Sequence, residues 1–275
     1  MKIFIANHPA AEPKYSRAPI GSSQAILWNP GPKHHRKYIE RGGQYLPQGL
    51  QSTAPVACSD MLFWGEYEPE SVARIVSLNS IPRAVHHTLH PVGTPARNVI
   101  PASATPGCCI NTDPYVFGDE FYYYCCKRHK NSAYNPGDII LFGTVLGKQM
   151  QFHLDTLMVV KAIRPVSAFL QSNNYYKCAL DPRLYSGGLP HQTVVVGEMF
   201  SGNQNEFSFV PCHLASAGIQ SPSKPVIDVT KYGFKPIKSC SYDPAPVLHA
   251  ASPFASLLAD VTSQGFLPAV YIDRI

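Results

Sequence analysis

The sequence predicts an α+β protein, a single domain with a mixed, mostly antiparallel central sheet, few short helices and long Pro/Gly-rich loops. Three observations predict it. β-Branched and aromatic runs bounded by Asn, Pro and Gly recur along the chain, the pattern of short strands between turns. The clearest helical spacing is confined to residues 252–265. The composition, 45% hydrophobic and 15% charged with 26 Pro and 19 Gly in 275 residues, describes a loop-rich globular chain rather than a disordered or coiled-coil one. The connections are too irregular for repeated βαβ units, and one domain over 1–275 is long enough to bury a core.

Residues 2–6 read as a buried strand ending at Asn7-His8-Pro9, where proline holds its neighbour extended. Residues 25–28 form a second, short strand, stopped by Asn29-Pro30-Gly31-Pro32. Lys33-His34-His35-Arg36-Lys37-Tyr38 is the densest basic stretch and is expected to open a helix that runs through Glu40 and closes at Gly42-Gly43. Residues 60–64 make an apolar strand that runs into Trp64-Gly65 and sets Glu66 and Glu68 on one face. Residues 71–78 read as a short helix, followed by the histidines His86, His87 and His90. Those three could ligate a metal, but they lack a recognised ligand spacing, and exposed loop histidines are common.

Residues 111–155 are the stretch around which the rest is expected to be built. A Tyr-rich strand, a Pro136-Gly137 turn, the run Ile139-Ile140-Leu141-Phe142 and a short loop at 146–151 lead into a long strand through residue 160. Asp113, Asp119, Glu120 and Asp155 stand here among Tyr and Phe, where an ionised carboxylate is costly unless paired. Further strands are expected at 175–180, 193–200, 207–210 and 225–229. The helix has Ser252 as N-cap, Pro253 at its first position and Phe254, Leu257, Leu258 and Val261 on one face, with Gly265 closing it. Residues 267–272 return as a strand.

A net charge of +5 is mildly basic, and seven Lys/Arg against three acids in residues 1–60 give a modest nucleic-acid footprint. No Walker loop, dinucleotide fingerprint or G-x-S-x-G elbow occurs, which argues against P-loop hydrolysis, dinucleotide redox chemistry and an α/β-hydrolase triad. The eight Cys include no C-x-x-C pair, so neither a zinc ribbon nor a disulfide framework is spelled out. With no signal-peptide pattern and no apolar run of about 20 residues, the expected location is the cytoplasm, with thiols reduced and no membrane partner.

Four segments carry a family resemblance: His34-His35-Arg36-Lys37-Tyr38-Ile39 with the following Gly-Gly-Gln-Tyr-Leu, then Phe63-Trp64-Gly65-Glu66-Tyr67-Glu68-Pro69, and residues 111–127 and 137–160. The chain resembles the bacterial nucleotide-modification-associated domain proteins and their phage-defence relatives that act as DNA glycosylases on glucosylated hydroxymethylcytosine. The resemblance covers most of residues 1–160 and scarcely touches the last 115. It implies cleavage of the N-glycosidic bond of a modified base in phage DNA, leaving an abasic site, and it assigns no catalytic residue. Asp113-Pro114-Tyr115 also resembles the Asp-Pro-Tyr of uracil-DNA glycosylases, although Asn-Thr precedes it and Val116 follows it here.

Cleaving that bond requires a carboxylate to stabilise an oxocarbenium-like sugar and direct water to it. It also requires the nucleotide to leave the stack and lodge between aromatic or apolar faces. The sequence supplies catalytic candidates in Glu66, Asp113 and Asp155, and candidates for substrate contact in Trp64, Tyr115, Phe117, Asp119, Tyr122 and His153. DNA contact is expected from His35, Arg36, Lys37, Lys127 and Arg128, since clustered cations provide sequence-independent affinity. No cofactor or metal is expected. Each residue also has a purely structural alternative: Asp119 or Glu120 paired with Lys127 or Arg128, Asp113 in a turn, Trp64 in the core. Two rival functions use the same residues, a non-catalytic reader of modified bases and a metal-dependent nuclease employing the acids with histidines.

Overall fold

The computed structural model describes residues 1–8, 11–15, 17–26, 35–47, 56–67, 71–88, 114–123, 134–146, 151–168, 193–202, 204–218, 224–236 and 245–273. Within them the fold is α+β, with strands in two mixed sheets and little helix.

The first sheet contains β1 (Lys2–Asn7), β7 (Tyr122–Tyr123), β8 (Ile139–Leu146), β9 (Gln151–Pro165), β10 (Thr193–Gly197), β12 (Val226–Ile227) and β13 (Val247–Leu248). Its order is β13-β1-β8-β9-β10-β7, with β12 on the far end of β9. The second contains β2 (Ser23–Ile26), β3 (Arg36–Tyr45), β4 (Ala57–Glu66), β5 (Ser71–Ile75), β6 (Ala84–Thr88), β11 (Val210–Leu214) and β14 (Leu267–Ile272). Its order is β14-β11-β4-β3-β6-β5-β2, and β14 also pairs with β3, so β3, β4, β11 and β14 close a ring. Pairing is antiparallel except for β1 with β8 and β3 with β6. The mixed, mostly antiparallel pairing is as expected from sequence, with the strands divided between two sheets.

The first sheet is buried on both faces, which is why β1 and β8 read as continuous apolar runs rather than alternating ones. Phe4, Ala6, Ile140 and Phe142 face the second sheet and share a core with its Ile39, Met61 and Phe63. Ile3, Ile5, Ile139 and Leu141 face the other way, toward helix α1 (Phe254–Thr262). That helix lays Phe254, Leu257, Leu258 and Val261 on the sheet as its spacing predicts, each worth about 1.5–3 kcal/mol relative to exposure. It starts one residue later than expected: Pro253 stands at the N-cap, and Ser252 Oγ accepts from the Phe254 amide at 3.2 Å.

Two expected helices are strands. Residues 36–45 form β3, paired along its whole length with β4 from Arg36 opposite Glu66 to Tyr45 opposite Ala57. Gly43 is a point of close approach and not a helix stop, because a Cβ there would lie 2.2 Å from the Tyr271 carbonyl of β14. Residues 71–75 form β5, held between β2 and β6, so cross-strand pairing overrides the local pattern. The expected strands at 193–200, 207–210 and 225–229 appear, shortened or shifted, as β10, β11 and β12. The expected strand at 175–180 lies outside the described residues.

Candidate functional site

The site forms where the open end of the β3–β4 ladder meets β9 of the other sheet. The register sets Arg36 opposite Glu66 and Tyr38 opposite Trp64, all four on one face. On β9, Phe142 pairs with Thr156 and Gly143 with Leu154, so Asp155 is the extra residue of a β-bulge. A bulge bends the strand and re-aims a side chain, here toward Arg36. Gly143 makes room for it, since a Cβ at that position would sit 2.2 Å from the His153 carbonyl oxygen. The Gly143 carbonyl accepts from the His8 amide at 2.9 Å, which anchors the end of β1 beside the bulge. The Leu154 amide donates to the Pro225 carbonyl at 2.9 Å as β12 pairs with β9, and this places Lys224 alongside Asp155.

Arg36 joins the two acids. Its Nε lies 3.3 Å from Asp155 Oδ2 and its Nη2 3.7 Å from Glu66 Oε2. Lys224 Nζ lies 2.7 Å from Asp155 Oδ1, and His8 Nδ1 lies 3.2 Å from Glu66 Oε2. The side chains of Glu66 and Asp155 are fully buried and that of Arg36 is 2% exposed, whereas Lys224 keeps 6% and His8 13%. Solvent therefore reaches the cluster from the His8 and Lys224 side. Two cations balance two anions, but desolvating each charge costs several kcal/mol, so such a cluster is a poor device for stability alone.

The electrostatics follow from burial. Burial lowers the Lys224 pKa, with Asp155 opposing the shift and Arg36 adding to it. Burial also lowers that of His153, helped by Lys224 and opposed by Asp155. Glu12, in electrostatic reach of Lys224, is pushed up to about 7 by burial even though its Oε1 accepts from the Arg83 and Ala84 amides at 2.9 and 3.1 Å. Lys224 Nζ stands 4.7 Å over the Trp64 ring, whose other neighbour is Tyr38 at 5.3 Å. Arg36 Nη1 and Trp64 Nε1 are buried with no hydrogen-bond partner among the described residues. An unsatisfied buried donor costs about 1–3 kcal/mol, and each is a point at which a ligand acceptor would be favoured.

Of the residues singled out in the sequence, the fold brings Glu66, Asp155, Arg36, Trp64 and His153 together. It does not expose Arg36 and Lys37 as a basic surface, which corrects that expectation. Arg36 is spent on the two acids, and Lys37, on the opposite face of β3, lies buried over the Tyr67 ring at 5.1 Å. His35 is partly buried with Nδ1 3.1 Å from the Ala11 carbonyl. Tyr115, Phe117 and Tyr122 are core residues, with Phe117 centred 5.5 Å from Tyr115 and 5.9 Å from Tyr67, so they do not line an open pocket. Asp119 is exposed on the turn at Gly118, and Glu120 meets Arg164 at 3.7 Å rather than Lys127 or Arg128. Asp113, Lys127 and Arg128 lie outside the described residues, as do Glu68 and His90.

Lys224, Glu12 and His8 were not legible as site residues. Nothing in Ser223-Lys224-Pro225 or Ala11-Glu12-Pro13 marks a buried charge, and only the Pro9 that follows His8 signalled the strand end there. The expected histidine cluster is dispersed among other partners. His86 is buried with Tyr15 Oη at 2.5 Å from Nε2 and Ser71 Oγ at 2.9 Å from Nδ1, while His87 lies 3.6 Å from Glu40. Among the described residues no group of three or more His, Cys, Asp or Glu is arranged to hold a metal ion. Cys58 and Cys212 are free thiols, and no described helix is long and apolar enough to cross a membrane.

No family model, no curated protein and no solved structure matches the chain. The resemblance to the nucleotide-modification-associated proteins thus stands on the four sequence segments alone.

Proposed function

We propose that the protein is a DNA glycosylase that hydrolyses the N-glycosidic bond of a modified, hydroxymethylated or glucosylated base in phage DNA, with Glu66 and Asp155 as the carboxylates that act on the sugar. The observation that carries this reading is the buried meeting of those two acids around Arg36, beside Trp64. A developing oxocarbenium ion needs a fixed negative charge near the anomeric carbon, and a water attacking it needs a carboxylate to take its proton. Arg36 and Lys224 favour the ionised form of both acids, and exclusion of water makes each charge count for more than it would at the surface.

Glu12 supplies the complementary chemistry. A carboxyl held near pH 7 keeps a proton that a departing base can take, whereas an acid paired to two cations does not, and such divergence separates an acid from a base. Trp64 offers the indole face and N–H for the base, while Lys224 and His8, at the open side, favour the anionic backbone of the DNA.

The test incubates the protein with canonical, hydroxymethylated and glucosylated DNA and measures free base and abasic sites. Release from modified DNA alone is the expected result. Tight binding of modified DNA without release would instead make the protein a reader, and strand cleavage abolished by chelator would make it a nuclease.

A further inference from the structure

Lys224 is the one cation of the cluster whose chemistry the hydrolytic step does not use. It stands with Nζ 2.7 Å from the Asp155 carboxylate and 4.7 Å over the Trp64 ring, on the side of the cluster that keeps some exposure. An amine in that setting has three properties of a carbonyl nucleophile: a partner to take its proton, an apolar face that disfavours its charged form, and a fixed position beside the carbon it would attack. The lowered pKa of Lys224 points the same way. Arg36, paired to the same acid, stays charged at any working pH and lacks this chemistry.

We infer that Lys224 is a nucleophilic lysine that condenses with the aldehyde of the abasic sugar, so that the protein cleaves the strand after it releases the base. The inference rests on reading the cluster as a glycosidic-bond centre. Base release leaves a sugar that opens to an aldehyde at C1′. The neutral Nζ forms a bond to C1′, the carbonyl oxygen takes up two protons and leaves as water, and an iminium ion links lysine to sugar. Asp155 then removes a proton from C2′, and the electron pair moves to form the C2′–C3′ double bond as the C3′–O bond breaks, expelling the 3′ phosphate. One water hydrolyses the imine and returns the amine. No oxidant or reductant is consumed.

The test uses the full chain and an oligonucleotide whose single abasic site is made beforehand from deoxyuridine, so that it does not depend on base excision by this protein. Borohydride reduces an imine to a stable amine. The expected result is a covalent protein–DNA adduct whose peptide map places the sugar on Lys224, with a strand nick when borohydride is omitted. Lys224→Arg, which keeps the cation beside Asp155, should lose both adduct and nick. The map on the unaltered protein stands whether or not that variant folds. An adduct on another lysine or on the Met1 amine would overturn the inference. So would no adduct from a protein that does release modified base, which would leave the glycosylase reading intact. Neither adduct nor base release would remove both.

Discussion

Replacing Asp155 by asparagine keeps the side chain's shape and removes its charge. Asp155 lies 2.7 Å from Lys224 Nζ and 3.3 Å from Arg36 Nε, so the variant leaves two buried cations facing Glu66 alone. Breaking a buried pair in this way costs about 3–5 kcal/mol, because the surviving charge is left uncompensated. Lys224 has a release that Arg36 lacks. Burial lowers its pKa and Asp155 is the leading group opposing that shift, so without Asp155 the folded protein holds the Lys224 proton still less tightly. Between the folded and unfolded pKa values the unfolded chain binds more protons, and stability therefore rises with pH, by up to about 1.4 kcal/mol per unit. Asp155→Asn should thus be destabilised by about 3 kcal/mol or more in mild acid, with the deficit narrowing at alkaline pH. For a chain of this size the acid-side loss corresponds to a drop in Tm of roughly 6–12 °C. Urea denaturation of wild type and variant on both sides of neutrality measures it. A variant within about 0.5 kcal/mol of wild type at both pH values, the scatter of ordinary surface substitutions, would refute the claim that Asp155 holds these cations.

Three further outcomes follow from the fold. Gly143→Ala should lower stability by about 1–3 kcal/mol or more in thermal melts, because its Cβ meets the His153 backbone at 2.2 Å and cannot be relieved by a rotamer change; an unchanged melt would mean that the bulge yields. Burial lowers the His86 pKa to about 3, so between that value and the usual 6.5 the unfolded chain binds more protons and stability falls on acidification. His86→Gln should flatten that limb, and a His86 ring signal that titrates near 6.5 by NMR would contradict it. Glu12 behaves oppositely. Its pKa is raised from 4.5 to about 7, so its contribution is fully present below 4.5 and is lost as pH rises through 7; Glu12→Gln should remove that slope in urea melts, and an unaltered slope would place the titration elsewhere.

The parts of the fold that were legible are those whose burial is written in local pattern. β1, β8 and the start of β9 are continuous apolar runs because both faces of their sheet are covered, and α1 shows its four core residues at helical spacing. β3 was misread for the opposite reason. Its charges suggest a solvated face and Gly42-Gly43 suggests a helix stop, yet the partners that bury Arg36 come from β4 and β9, distant in sequence, and Gly43 answers to β14. The acids Glu66 and Asp155 drew notice because they stand among aromatics, but their meeting depends on a one-residue bulge that no local rule announces. Lys224 and Glu12 become site residues only through β12 pairing with β9 and through the amides of β6 and the residue before it. The aromatics of 115–122 show the converse, since a Tyr/Phe-rich stretch that looks like a base-binding face is core.

The central claim, that Glu66 and Asp155 form the reacting pair, is tested most directly by single-turnover release of the modified base from glucosylated DNA. The comparison is between wild type, Glu66→Gln and Asp155→Asn, at a pH where melting shows each variant folded. Loss of a group that stabilises transition-state charge lowers the rate by about 100-fold or more, and that is the predicted result for at least one variant. Near wild-type rates in both folded variants would contradict the account.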